Sequence, residues 1–121
     1  MLFITKKSLE SLAESHREPD MLLCYATPQG FSAITNRAIL LINDNHMIVL
    51  FLNLFSTKIV HKLIFDLAEI QDQKYATKDQ LTVLWSFNLK RQTWKFRIPN
   101  KILTLGSIQR EFLMFVKQNI L

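Results

Sequence analysis

Leu81-Thr82-Val83-Leu84-Trp85-Ser86-Phe87-Asn88-Leu89, followed after Lys90-Arg91-Gln92 by Thr93-Trp94-Lys95-Phe96-Arg97-Ile98, is the stretch whose reading decides the fold. Leu81, Val83, Trp85, Phe87 and Leu89 alternate with Thr82, Leu84, Ser86 and Asn88. Across the turn, Trp94, Phe96 and Ile98 alternate with Thr93, Lys95 and Arg97. A period of two is that of a strand with one face on a core and one in water, so the stretch predicts an antiparallel hairpin. The aromatics share the inward phase, which assigns Trp85, Phe87, Trp94 and Phe96 to core packing. Lys95 and Arg97 point outward.

Upstream, short apolar runs broken by turn residues predict further strands at Met21–Thr27, Phe31–Thr35, Ala38–Asn43, Met47–Phe55, Ile59–Phe65 and Ile70–Ala76. Between them, Pro28-Gln29-Gly30, Asp44-Asn45 and Thr77-Lys78-Asp79-Gln80 read as turns, Asn36-Arg37 as a short connection, and Asp66-Leu67-Ala68-Glu69 as a single turn. Thr5 to Arg17 places Leu9, Leu12, Ala13 and His16 at helical spacing. Thr5 or Ser8 is available as a cap, and Glu18-Pro19-Asp20 forms a stop. After Pro99-Asn100, a helix is expected from Ile102 to Leu121, with Gly106 allowing a delayed start near Ser107.

The chain has 121 residues, 49% of them hydrophobic, which suits one domain with its own core. Residues 1–19 form an N-terminal helical extension, 20–99 antiparallel sheets and 100–121 a closing helix. The fold class is mainly β with helices: a small barrel or bent sandwich of two packed antiparallel sheets, an N-terminal amphipathic helix and a C-terminal capping helix.

In order and texture, Met21 to Leu121 resembles the bacterial pleckstrin-homology-like (bacterial PH, YokE-like) domain family. The residues that carry the resemblance are Gly30-Phe31-Ser32-Ala33-Ile34-Thr35-Asn36-Arg37-Ala38-Ile39-Leu40-Leu41-Ile42 and Ile64-Phe65-Asp66-Leu67-Ala68-Glu69-Ile70. The short basic strand Thr93–Ile98 and the closing helix fall where that family places them. The resemblance implies two nearly orthogonal sheets capped by the last helix, no enzymatic activity, and relatives that assemble into rings. A PH-like fold does not by itself imply lipid binding. Eukaryotic phosphoinositide sites need basic residues around the first loop, and Thr27-Pro28-Gln29-Gly30 has none.

Charge is distributed unevenly. Five cations and five acids lie in residues 1–60, ten cations and five acids in 61–121, and no acid falls between Asp79 and Glu111. Lys90, Arg91, Lys95, Arg97 and Lys101 therefore form a candidate patch for an anionic partner, with an anionic membrane surface as one such partner. Nucleic acid is less expected, because the outward phase lacks aromatics for stacking.

Met47 to Phe55 does not alternate, so both faces of that strand are apolar. Its surplus face needs cover, either from the first helix through Leu9 and Leu12 or from a second copy. Met47, Val49, Leu50, Leu52 and Leu54 are the candidate oligomer interface on the second alternative, and self-association is the leading expected function of a non-catalytic interaction module.

No cofactor, metal or catalytic set is expected. His16, His46, His61 and Cys24 lack ligand spacing, two glycines cannot build a phosphate-cradling loop, and no nucleophile elbow is present. Cys24 alternates within a strand and reads as a buried apolar filler. A single cysteine and a polar stretch after Met1-Leu2-Phe3-Ile4 point to the reducing cytoplasm, with attachment at the inner membrane face as the alternative.

Overall fold

Thr82–Leu89 and Gln92–Pro99 are the two strands of an antiparallel hairpin, β6 and β7, in the computed structural model, which describes residues 4–29, 36–77, 79 and 81–119. Before them come α1 (Lys6–Ala13), β1 (Leu22–Gln29), β2 (Ala38–Ile42), β3 (His46–Leu52), β4 (Ile59–Asp66) and β5 (Gln71–Thr77). After them comes α2 (Ile108–Asn119), and single 3-10 turns occupy Leu67–Glu69 and Leu103–Leu105. The expected strand at Phe31–Thr35, with the start of the family-like segment, lies outside the described residues.

Among the described residues, the strands form one antiparallel sheet of seven in the order β4-β3-β2-β1-β7-β6-β5, and its ends do not join. In a flat sheet, β4 and β6 would stand about 24 Å apart, five strand spacings. The rings of Phe65 on β4 and Phe87 on β6 instead lie 5.9 Å apart, so the sheet folds over on itself around one core. Trp85 lies at the centre of that core, with Phe87 at 5.0 Å, Phe96 at 6.4 Å and Phe112 of α2 edge-on at 6.2 Å. Its indole N–H donates to Gln73 Oε1, and the four hairpin aromatics are all buried, in the phase their alternation predicts.

The sheet folds where β1 changes partner. Leu22–Ala26 pair with β2, whereas Thr27–Gln29 pair with Arg97, Phe96 and Lys95 of β7. The expected turn at Pro28-Gln29 is therefore a continuation of the strand. Alternation of the ladder directs Tyr25, Thr27 and Gln29 toward β7 and Pro28 toward β2, whose described pairing has already ended at Ala26, so the missing N–H of Pro28 breaks no bond.

Two layers of apolar packing account for the run of fully buried residues in β2 and β3. Leu40, Ile42, Met47, Val49 and Phe51 face the aromatic core. On the other face, Ile39, Leu41, Ile48, Leu50 and Leu52 lie beneath Leu9 and Ala13 of α1 and beneath Leu105 and Ile108. α1 is shorter than the expected Thr5–Arg17, although Thr5 and Ser8 do cap it reciprocally. It ends at Ala13, and Arg17 turns back to donate to the carbonyl of Met21.

Two further expectations change. The strand expected to reach Phe55 ends at Leu52, because the Asn53 carboxamide takes over from the ladder: its Oδ1 accepts from Thr57 N–H at 2.8 Å and from Lys58 N–H at 3.1 Å. Of the span expected from Ile102, the closing helix keeps the part from Ile108, the delayed start expected near Ser107, because Gly106 has φ +60° and separates a 3-10 turn from the helix proper.

Candidate functional site

Register fixes which cations share a surface. Lys95 stands opposite Ser86 on β6 and Gln29 on β1, and Ser86 is in turn opposite Lys74 on β5. In the next row, Arg97 stands opposite Leu84 and Thr27. Lys74, Lys95 and Arg97 are all exposed on the outer side of this half of the sheet. An open groove of about 700 Å³ runs across it, with Lys74, Ser86, Asn88, Thr93 and Lys95 in its lining. The groove's acid, Asp72, sits at a bulge with φ +53° and accepts from Asn88 Nδ2 at 3.0 Å.

The other expected cations are placed differently. Lys90 and Arg91 form the two-residue turn of the hairpin, both at positive φ, and Lys90 Nζ lies 3.8 Å from Glu69. Lys101 lies beyond the opposite end, about 25 Å away along an eight-residue strand. The five are thus spread along one hairpin instead of converging on one point. Near Lys101, the Asn100 N–H donates to the Leu81 carbonyl at 2.7 Å, joining the β5–β6 connection to the segment after β7. Leu81 and Leu103 are 74% and 88% exposed there.

Lys74, Leu81 and Leu103 were not singled out from the sequence. Lys74 lies in the polar run Gln71-Asp72-Gln73-Lys74, and only the β5–β6 register shows which side it takes. Leu81 has the inward phase of its strand, but the strand begins one residue later.

The candidate oligomer interface is filled from within the chain. Met47 and Val49 belong to the inner core, Leu50 and Leu52 lie under α1, and all four have no exposed surface. Of the five, Leu54 alone is exposed, in the turn after β3. The surplus apolar face is thus covered by the first helix and by Leu105 and Ile108, so it offers no surface to a second copy.

Among the described residues, titratable groups meet at one other place. His46 Nδ1 lies 2.8 Å from Glu18 Oε1, and His46 Nε2 lies 3.1 Å from Asp66 Oδ1, an arrangement suited to an imidazolium that donates to both carboxylates. The hydrogen bond to Glu18, partly offset by desolvation, raises the His46 pKa, and the same bond lowers that of Glu18. Burial pushes the Cys24 thiol well above its usual range. Among the described residues, no group of three or more His, Cys, Asp or Glu is placed to hold a metal ion, and no helix is long and apolar enough to cross a membrane. No protein-family model and no curated protein gives a significant match to the chain.

Proposed function

We propose that the chain is a non-catalytic interaction module of the PH-like kind, its folded-over sheet acting as the two packed sheets of that barrel, and that it attaches peripherally to anionic membrane. The observation that carries this reading is the presence of cations and exposed leucines on one half of the sheet. Lys74 of β5 and Lys95 and Arg97 of β7 lie on its outer side, and Lys101 lies beyond the open end of the β6–β7 hairpin with Leu81 and Leu103. A nucleic acid would account for the cations alone, whereas a bilayer surface takes both. Each cation near an anionic surface contributes about 1 kcal/mol, and each leucine entering the interface adds a part of the roughly 1.5–3 kcal/mol that full burial of such a side chain gives.

The test is co-sedimentation with vesicles of phosphatidylcholine alone or mixed with phosphatidylglycerol, at low and high salt. The expected result is binding only to the anionic vesicles, weakened by salt and by Lys95→Glu with Arg97→Glu. Equal binding to both compositions, or to neither, overturns the reading. Self-association is a second reading, favoured by a separate observation on β4.

A further inference from the structure

We propose that the free edge of β4 pairs antiparallel with β4 of a second copy about a two-fold axis through Ile64, making one continuous sheet across a homodimer. This inference is independent of the membrane reading. β4 ends the sheet, and among the described residues nothing pairs with its outer edge. The Leu67 N–H donates to the Asn45 carbonyl, which fixes the alternation of the β3–β4 ladder. Phe65, Leu63 and His61 direct their backbone groups at β3, and Lys62, Ile64 and Asp66 direct theirs outward.

The two ends of the sheet differ in where their irregularity falls. β5 is bulged between Gln71 and Lys74, with Asp72 at positive φ, which leaves only Lys74–Thr77 in regular pairing. β4 has its bulge at Val60, near its start, and pairs regularly with β3 from His61 to Asp66, with Ile64 54% exposed on that regular stretch. That pattern on an edge strand is a template for a further strand.

Charge selects the register and the partner. About a two-fold axis through Ile64, Ile64 stands opposite itself and exchanges both backbone hydrogen bonds. Lys62 then stands opposite the second copy's Asp66 on either side, so two opposite-charge pairs flank an apolar centre. The half-buried Leu63 meets the second copy's Phe65 on the inner face. Centred on Lys62, the ladder would set two lysines against each other. The Asp66 N–H is already held by Glu69 Oε1, but at 3.3 Å, a bond that a cross-strand carbonyl can replace.

Light scattering coupled to size-exclusion chromatography of the full chain reads the mass, and cysteine substitution reads the register. The expected mass is twice 14.2 kDa, falling to the monomer in Ile64→Lys. That substitution sets like charges opposite each other at an exposed position. Cys24 is buried, so an introduced thiol reports alone. Ile64→Cys should give a disulfide-linked dimer under mild oxidation, since opposed residues lie about 5.5 Å apart between Cα atoms. Lys62→Cys should not, its twin lying about 13 Å along the edge. A monomer at all concentrations, a dimer that survives Ile64→Lys, or equal cross-linking of the two cysteines overturns the proposal.

Discussion

The side-chain amide of Gln109 exchanges two hydrogen bonds with the backbone of Tyr25, accepting from its N–H at 2.7 Å and donating to its carbonyl at 2.9 Å. It also donates to the carbonyl of Pro99, the last residue of β7, at 2.9 Å. The fully buried amide therefore stands in for the next rung of the β1–β7 ladder, where the register sets Tyr25 against Pro99, a residue with no N–H to donate, at the point where β1 leaves one partner for the other. Gln109→Leu keeps the volume and leaves one N–H and two carbonyls unsatisfied. At about 1–3 kcal/mol for a buried orphan group, the loss should be at least about 2 kcal/mol, read as a lower urea midpoint with unchanged slope. A change below about 0.5 kcal/mol would show that the rung is dispensable.

The β6–β7 turn is a site of stored strain. Two-residue hairpin turns with both residues at positive φ favour Asn-Gly, and this chain places Lys90 and Arg91 there, at φ 50° and 68°. Left-handed conformations cost L-residues with a side chain about 1 kcal/mol or more each. Lys90→Asn with Arg91→Gly should therefore raise stability by about 1–2 kcal/mol in denaturant melts. The same variant should bind anionic vesicles little worse than wild type, because the turn lies at the far end of the hairpin from Lys101 and the exposed leucines.

The His46–Glu18 contact predicts a pH window. The folded pKa of His46 is raised above 6.5, so its contribution is complete below 6.5 and is lost as pH rises through the folded value. The folded pKa of Glu18 is lowered below 4.5, so its contribution is complete above 4.5 and is lost as pH falls through the folded value. Both shifts report one interaction. The stability difference between wild type and His46→Gln should be largest from about pH 4.5 to 6.5 and shrink on either side, as thermal melts across pH would show. A difference that does not vary with pH would mean that the contact is not ionic.

Removing α1 should create the surface that its burial denies. Leu9→Asp places a charge against Ile48, Leu50 and Leu52, and the helix should detach. The sheet face beneath would then be bare, and the expected outcome is concentration-dependent aggregation with dye binding to exposed apolar surface. Wild type should show neither. If Leu9→Asp stays as soluble and as dye-silent as wild type, α1 is not the cover.

The hairpin, the inward aromatics, the outward cations and the capped first helix were legible in the sequence, because each depends on neighbours along the chain. Alternation places Trp94 and Lys95 on opposite sides whatever the rest of the fold does. What was not legible depends on partners far along the chain. Pro28 reads as a turn residue until β7 is seen to pair along β1. Asn53 is the local exception: its carboxamide ends the apolar run by accepting from Thr57 and Lys58, four and five residues on. Met47 to Leu52 reads as a face in need of cover, and of the two covers expected for it the first helix is the one found; nothing local shows that Leu105 and Ile108 share that task. Lys74 joins the basic side only through register, and Gln109 shows no signal at all, being one polar residue in an amphipathic helix.

The partner change of β1 also sets the order of events during synthesis. Its first half can pair with β2 as soon as the β2 segment has left the ribosome. Its second half must wait for β7, and the Tyr25 rung must wait for a side chain 84 residues downstream. Non-local closures of this kind are slow, and the unclosed intermediate carries a bare strand edge beside a half-built core. The nascent chain therefore remains a candidate for chaperone capture until α2 has emerged, and truncations that remove α2 should appear in the insoluble fraction rather than as a smaller folded protein.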